Sequence, residues 1–238
     1  MVAKFKFSNI SDKYTPEEVF EKFSNNSHAY LEKKKWDINT YISFWDTYED
    51  NNKALVNSHF RYRKDSRTLG RFAADIYECS QKERKDFEAW LNSHGSKYFT
   101  NLTCTPTGVD VTGKLVLERG DKLDFKKPDF QVENQYVEYK TNNFDHIATY
   151  KVEDLKIYHE YESYILTDFY NKGKYSGYCL FTPQNLKNVI DALETNKINS
   201  FPFAPFGYKP SVQFYTKRKV GREFAVALED YCSYIIFN

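Results

Sequence analysis

The sequence predicts an α/β fold in which a central mixed β-sheet is flanked by helices, with a mainly helical extension at the N-terminus. Residues 135–141 alternate between two sets of side chains, as a half-buried strand does. Residues 152–164 place apolar side chains mainly at helical spacing. Residues 165–169 and 178–181 are short apolar runs around a loop with two glycines, which is typical of neighbouring strands.

A helix is predicted over about residues 81–94, because Ser80 and Glu83 have the spacing of a capping box and a glycine follows the segment. Phe87 and Trp90 come four and seven positions after Glu83. Glu83 therefore lies on the helix face that is expected to pack against the sheet. The alternative is that Glu83 only accepts a hydrogen bond from the backbone N–H of Ser80.

Helical patterns also precede this segment. One begins at Thr15 and another covers residues 66–77. Residues 1–79 are therefore expected to form a helical extension that packs on a core of residues 80–238. No Ser/Gly-rich linker separates the two parts.

The C-terminal part predicts one more helix and further strands. Thr182 is a typical N-cap, Pro183 is a favoured first helical residue, and apolar side chains follow at helical spacing. After a stretch broken by prolines, residues 212–216 and the apolar run that ends at Phe237 are expected to complete the sheet or to form a dimer surface.

The most informative segment for chemistry is a predicted hairpin. Glu133 and Asn134 form its polar tip, and folding the chain back there brings Asp129 close to Glu138. Glu138 and Lys140 are two positions apart on the second strand, so their side chains share one face, with Cα atoms roughly 6.6 Å apart. Two carboxylates and one ammonium group are thus predicted to converge.

These three side chains suit a metal-dependent phosphodiesterase. Mg²⁺ (or Mn²⁺) takes oxygen ligands and binds through one or two carboxylates plus substrate phosphate oxygens, so Asp129 and Glu138 are the predicted ligands. The metal would polarise the phosphoryl group and generate hydroxide near neutral pH. Lys140 would orient the water or offset charge that grows at phosphorus. The alternative is a surface hairpin with a solvated Glu and Lys.

Pro128-Asp129 followed by Glu138-Tyr139-Lys140 resembles the motif of the PD-(D/E)XK nuclease superfamily, which includes restriction endonucleases and Holliday junction resolvases. The resemblance covers roughly residues 80–195. It implies a restriction-endonuclease-like αβββαβ core and an endonuclease activity. It also implies metal ligation by Asp129, Glu138 and Tyr139.

The resolvase-like branch of that superfamily adds a prediction for the helix. Its helix carries a Glu-Arg pair followed by apolar residues at four and seven positions on, and Glu83-Arg84 with Phe87 and Trp90 match that pattern. The resemblance therefore implies that Glu83 is a further catalytic and metal-site residue. Glu88 is the second candidate, although it falls off the apolar stripe.

One departure from the family pattern concerns residues 102–127, which insert extra material before the Pro-Asp pair. The alternation over residues 114–118 predicts an extra hairpin there. Asp110 and Asp124 are consequently rival metal ligands. Asp129 is favoured because the proline before it stiffens its approach and the turn places it beside Glu138.

Contacts with nucleic acid are predicted at basic clusters with nearby aromatic residues. The predicted binding residues are Lys126, Lys127, Arg61, Arg63 and His159. Solvated surface charge is the alternative for each cluster. The lysine pair adjoins Asp129, and His159 lies on the helix after the motif, where such nucleases often place a polar residue in the cleft.

Composition restricts the function class. The net charge of +1 argues against a histone-like electrostatic binder, and four dispersed cysteines argue against a structural zinc site. The sequence has no secretory leader and no apolar run of about 18 residues, so we expect a cytoplasmic protein without a membrane partner.

The function predicted from these features is a Mg²⁺-dependent endodeoxyribonuclease of restriction, repair or recombination type. A homodimer is expected, because one active site cuts one strand of a duplex. The alternatives are an RNA-cleaving nuclease of the same fold and a non-catalytic nucleic-acid-binding or interaction protein that retains the fold.

Overall fold

The structure is a computed structural model that describes residues 27–54, 56, 66–108, 111, 127–143, 147–216 and 225–237. The chain divides into two compact units. The first comprises Met1–Gly95 and Pro106–Phe125, and the second comprises Ser96–Thr105 and Lys126–Asn238. The architecture is mixed α/β with a central mixed sheet, as the sequence predicts.

The first unit contains helices α1 (Ser27–Lys34), α2 (Ile38–Asn51) and α3 (Leu69–His94). Asp37 caps α2, because its carboxylate accepts from the backbone N–H of Thr40 at 2.9 Å. Thr68 caps α3, because its hydroxyl oxygen accepts from the backbone N–H of Arg71. Helices α2 and α3 pack together through a largely aromatic core that includes Tyr41, Phe44, Trp45, Tyr48, Leu69 and Ala73.

The helices predicted over residues 66–77 and 81–94 form one helix, so the predicted start near Gln81 is wrong. The helix begins at Leu69 and continues without interruption across residues 79 and 80. Ser80 lies inside the helix, where its hydroxyl donates to the Tyr77 carbonyl at 2.8 Å. A mid-helix Ser80 has no N-cap role, so the capping alternative for Glu83 is excluded. The predicted end at His94 is confirmed.

A buried histidine joins α1 to α3. His28 is 1% exposed, its Nδ1 lies 3.3 Å from the Ser80 hydroxyl, and its ring packs edge-on against Tyr77. Burial, and secondarily the nearby Arg84 guanidinium, lower the pKa of His28 from 6.5 to about 4. The folded protein therefore holds a neutral imidazole at a pH where the unfolded chain holds a cation.

We expect the free energy of unfolding to fall as the pH drops from 6.5 towards 4, because the unfolded chain binds the His28 proton first. The loss saturates near the folded pKa at about 3 kcal/mol. Urea unfolding of the full chain at several pH values measures it, with His28→Gln as reference. The difference in stability between the two proteins should shrink over this window. A pH-independent difference would contradict the assignment.

The second unit carries two sheets and shorter helices. Its helices are α4 (Val152–Glu160), α5 (Pro183–Glu194) and α6 (Leu228–Tyr231). Its strands are β1 (Cys104–Pro106), β2 (Phe130–Val132), β3 (Gln135–Asn142), β4 (Ile147–Lys151), β5 (Tyr164–Asn171), β6 (Lys174–Phe181), β7 (Phe201–Phe203), β8 (Lys209–Tyr215), β9 (Ala225–Ala227) and β10 (Tyr234–Phe237). In the described residues the larger sheet has the order β1-β2-β3-β5-β6-β10, and the smaller has β4-β8-β7 with β9 beside β8.

The centre of the larger sheet confirms the predicted hairpin and the strands after it. Strands β2 and β3 are antiparallel, and the positive φ of Glu133 (54°) makes the tight turn between them. Strand β5 runs parallel to β3, after a crossover that contains α4, and β6 returns antiparallel to β5. The predicted loop with both glycines is shorter than expected, because Gly177 lies within β6.

The predicted α5 is confirmed in detail. Thr182 Oγ1 accepts from Asn185 N–H, and the Asn185 side chain accepts from Thr182 N–H, so the two residues form a capping box with Pro183 inside its first turn. The helix buries its stripe in the core of the second unit. That core includes Tyr150, Ile165, Phe169, Cys179, Phe181, Leu186, Val189, Ile190 and Phe214.

Some predictions concern residues outside the described ranges. They are the helix from Thr15, the extra hairpin over residues 114–118, and the rival ligands Asp110 and Asp124. Among the helices that the structure describes, none combines the length and apolar character needed to cross a bilayer.

Candidate active site

The β2–β3 hairpin positions Asp129 beside Glu138. Phe130 pairs with Val137, so extending the same register by one residue sets Asp129 opposite Glu138. The backbone N–H of Tyr139 donates to Asp129 Oδ2 at 3.1 Å, which holds the carboxylate at the end of the ladder. The convergence expected from the turn is therefore present.

Glu138 and Lys140 point to the same side of β3, as the alternation predicts. Lys140 Nζ donates to Glu138 Oε1 at 2.6 Å. The Glu138 side chain is 7% exposed, whereas that of Lys140 is 34% exposed. A buried carboxylate and a partly exposed ammonium group thus meet at the edge of the second unit's core, so the solvated-hairpin alternative does not describe this pair.

Helix α4 supplies Tyr158, whose position in the sequence pattern indicates only a place in an apolar stripe. The Tyr158 hydroxyl donates to Glu138 Oε1 at 2.6 Å, and Lys140 Nζ lies 5.6 Å from the centre of the Tyr158 ring. Burial raises the pKa of Tyr158 well above its ordinary value, so the hydroxyl stays a donor. Tyr158 and Lys140 both bond to Oε1 of Glu138, and neither of these two bonds involves Oε2.

The charge of Lys140 is fixed by its neighbours. Burial alone would lower the pKa of Lys140, but the Glu138 carboxylate, with smaller effects of Tyr158 and Asp129, raises it well above its ordinary value. Lys140 therefore remains a cation throughout the neutral range. A lysine held in this form can stabilise negative charge or orient a water molecule, but it does not act as a general base.

Tyr139, predicted as a metal ligand, directs its side chain to the other face of β3. Its hydroxyl donates to the buried Asp168 at 2.8 Å. The hydroxyl is thus committed to a bond between β3 and β5. Any part of Tyr139 in metal binding would belong to its backbone carbonyl.

The donor set fits one hard divalent cation. Asp129 and Glu138 offer carboxylate oxygens from opposite positions of the extended β2–β3 register, and Mg²⁺ binds through one or two carboxylates while keeping waters and substrate oxygens. In the part of the chain that the structure describes, no group of three or more His, Cys, Asp or Glu side chains is arranged to hold a metal.

The other predicted site residues are distributed differently. Glu83 belongs to the first unit, whereas Asp129, Glu138 and Lys140 belong to the second. Lys127 Nζ lies 5.5 Å from the centre of the Tyr136 ring. The remaining basic residues, which are Lys126, Arg61 and Arg63, fall outside the described ranges. The roles of Glu83 and of these basic residues stay predictions.

His159 follows Tyr158 in the last turn of α4. Consecutive helical side chains diverge by about 100°, so the two residues do not point the same way. It is Tyr158 and not His159 that reaches the Glu138 carboxylate. Contact of His159 with nucleic acid stays a prediction.

Comparisons with protein-family models, curated proteins and solved structures find no match to this chain. The resemblance to the PD-(D/E)XK superfamily therefore rests on the motif residues and their arrangement. Assignment to that superfamily stays a prediction.

For the nuclease activity that the motif predicts, Tyr158→Phe is expected to lower cleavage by about tenfold or more and to raise the Mg²⁺ concentration needed for half-maximal activity. The reason is that a buried hydrogen bond to a carboxylate is lost and Glu138 is less firmly held. A Mg²⁺ titration of cleavage measures both effects. Tyr161→Phe is the control, because its ring packs on Tyr136 near the same end of α4. Equal effects of the two substitutions would contradict a specific role for Tyr158.

Proposed function

We propose that this protein is a metal-dependent endonuclease that hydrolyses phosphodiester bonds in DNA, with Mg²⁺ or Mn²⁺ as cofactor. The observation that carries the proposal is the convergence of Asp129, Glu138 and Lys140 on the β2–β3 hairpin. Two carboxylates beside a permanently charged lysine combine ligands for a hard cation with a group that stabilises a phosphorane-like transition state.

Each residue has a distinct role in this proposal. Asp129 and Glu138 would hold the cation, which when bound polarises the phosphoryl group and activates water. Lys140 places positive charge where negative charge grows during attack at phosphorus. Tyr158 fixes Glu138 Oε1, so that the carboxylate keeps one orientation before substrate binds.

The order of elements also supports the proposal. In the described part of the chain, helix α3 is followed by β1, β2 and β3, then by α4 and by β5 parallel to β3. This order agrees with the αβββαβ core that the motif implies. Strand β4, which belongs to the smaller sheet, is inserted between β3 and α4.

DNA is the proposed substrate class, and RNA is the alternative within the same chemistry. The proposal includes a homodimer for one reason. A single catalytic centre cuts one strand of a duplex, so cleavage of both strands calls for two centres. A binding protein without activity is the second candidate. It is disfavoured because all three charged motif residues are present, with Lys140 bonded to Glu138 and subject to the charge of Asp129.

The experiment is to incubate the purified protein with supercoiled plasmid, linear duplex, branched DNA and structured RNA, in Mg²⁺ or in EDTA. Cleavage in Mg²⁺ that EDTA prevents is expected for at least one DNA substrate. If only RNA is cleaved, the protein is a ribonuclease and not a deoxyribonuclease. Binding without cleavage of any substrate, in Mg²⁺ and in Mn²⁺, would favour the second candidate.

A further inference from the structure

A cavity of about 700 Å³ opens beside Lys140, within the second unit. Its wall begins at Lys140 and Thr167 on the larger sheet and continues over Tyr150 and Gln213 on the smaller sheet. The segment after β7 contributes Phe206. The volume lies in the range of sites that enclose a small molecule or a molecular fragment.

The cavity has aromatic sides. Phe203, Phe206, Tyr150 and Tyr215 all line it. Phe203 and Phe206 pack edge to face with ring centroids 5.0 Å apart, and Phe206 also carries Lys151 Nζ at 5.2 Å from its ring centre. Flat aromatic surfaces with a cation nearby are the elements from which proteins build stacking sites for bases.

The floor and rim carry polar groups held by hydrogen bonds and an ion pair. Tyr150 and Thr167 hydroxyls are hydrogen-bonded to each other at 2.7 Å. Gln213 Oε1 accepts from Tyr215 at 2.6 Å, which orients its amide and leaves the NH₂ group as its donor side. Asp154 lies 3.5 Å from Lys151, so the rim carries a carboxylate as well as a cation. A planar ligand could stack its faces on the aromatic side chains and form hydrogen bonds with these polar groups at its edges.

We propose that this cavity binds an unpaired nucleobase, that of the nucleotide next to the phosphate held at Lys140. The inference rests on the proposed function, because Lys140 belongs both to the cavity wall and to the candidate active site. A base seated among these aromatic side chains would set the adjacent phosphodiester against Lys140. The substrate is then a nucleic acid that is single-stranded or locally opened at the cleavage point.

A stacked duplex does not satisfy this geometry. A paired base has its hydrogen-bonding edge occupied and its faces covered, so it reaches a pocket only after leaving the helix. Unpaired, mismatched or single-stranded nucleotides avoid most of that unstacking. Preference for such substrates therefore follows from the cavity and not from the charged residues of the active site.

Ligand-observed NMR in EDTA tests the inference without any cleavage. The probes are the four 2′-deoxynucleoside 5′-monophosphates and, as a baseless control, 2-deoxyribose 5-phosphate. At least one nucleotide should bind about tenfold or more tightly than the sugar phosphate, the scale expected for one base stacked on aromatic side chains. Phe206→Ala should remove that difference, and Phe206→Tyr should restore it.

Tyr208→Ala is the matched control, because this aromatic residue follows Phe206 closely but is 72% exposed and does not line the cavity. Equal binding of nucleotides and sugar phosphate, or no effect of Phe206→Ala, would overturn the inference even if the protein cuts DNA. Base-dependent binding at Phe206 in a protein that cuts nothing would refute the proposed nuclease while retaining the cavity as a nucleotide site.

Discussion

Replacing Asp129 by Asn or Glu138 by Gln is expected to abolish cleavage. Each change removes one negative charge from a two-carboxylate site, and a hard cation loses much of its affinity for such a site. Calorimetry should show weaker Mg²⁺ binding by both variants. The two effects should occur together, because the proposal assigns the same carboxylates to metal binding and to catalysis.

The Glu138→Gln variant also tests whether loss of activity is loss of fold. The substituted side chain would keep an amide oxygen for the Tyr158 hydroxyl and Lys140, although the bonds to a neutral acceptor are weaker. Thermal unfolding should therefore remain cooperative in Glu138→Gln. Glu160→Gln is the control, since it removes an exposed carboxylate at the end of α4. If Asp124→Asn abolishes cleavage and Asp129→Asn does not, the ligand assignment is wrong.

Lys140→Ala is expected to lower the cleavage rate by at least about 10²-fold, the scale of losing one preorganised electrostatic contact to a transition state. Binding of nucleic acid in Ca²⁺ should be retained, because the proposal makes Lys140 no metal ligand and only one of several cations predicted to contact phosphates. The measurements are single-turnover cleavage in Mg²⁺ and an equilibrium binding titration in Ca²⁺.

Lys209→Ala is the matched control for Lys140→Ala. Lys209 is a lysine with a 54% exposed side chain, and it pairs with Glu153 at 2.9 Å. Its removal should leave the rate nearly unchanged, since exposed ion pairs contribute little. Near wild-type activity of Lys140→Ala would remove the proposed role. Loss of binding in Ca²⁺ with the same fractional loss of cleavage would make Lys140 a substrate-binding residue only.

The parts of the fold that the sequence predicts well are those specified by short-range rules. The hairpin follows from alternation and a polar turn, and helix α5 follows from its Thr182-Pro183 start. Asp129 and Glu138 converge for the same reason, because a tight turn determines which residues face each other across two strands.

The start of α3 shows where short-range rules fail. Ser80 and Glu83 have the spacing of a capping box, but the same spacing occurs inside a helix. There the Ser80 hydroxyl bonds to the preceding turn and contacts His28, which lies 52 residues earlier. Local patterns do predict a helix over residues 66–77, close to the actual cap at Thr68. What they miss is that this helix and the one predicted over residues 81–94 are continuous.

The role of Tyr158 and the aromatic cavity depend on long-range packing. Tyr158 reaches Glu138 because the crossover after β3 returns α4 over the same strand. The one available signal in the sequence is that a tyrosine within an apolar stripe needs a partner for its hydroxyl. Phe206 and Gln213 are brought to Lys140 by the pairing of β8 with β4, which no local pattern specifies.

The most direct test of metal-dependent cleavage at Asp129 and Glu138 compares two proteins purified in the same way. They are the wild type and an Asp129→Asn, Glu138→Gln double variant. Supercoiled and branched DNA are incubated with each protein in Mg²⁺ and in EDTA. We expect cleavage by the wild type in Mg²⁺ but not in EDTA, and no cleavage by a folded double variant under either condition. Equal cleavage by both proteins, or by the wild type in EDTA, would contradict a metal-dependent centre at Asp129 and Glu138.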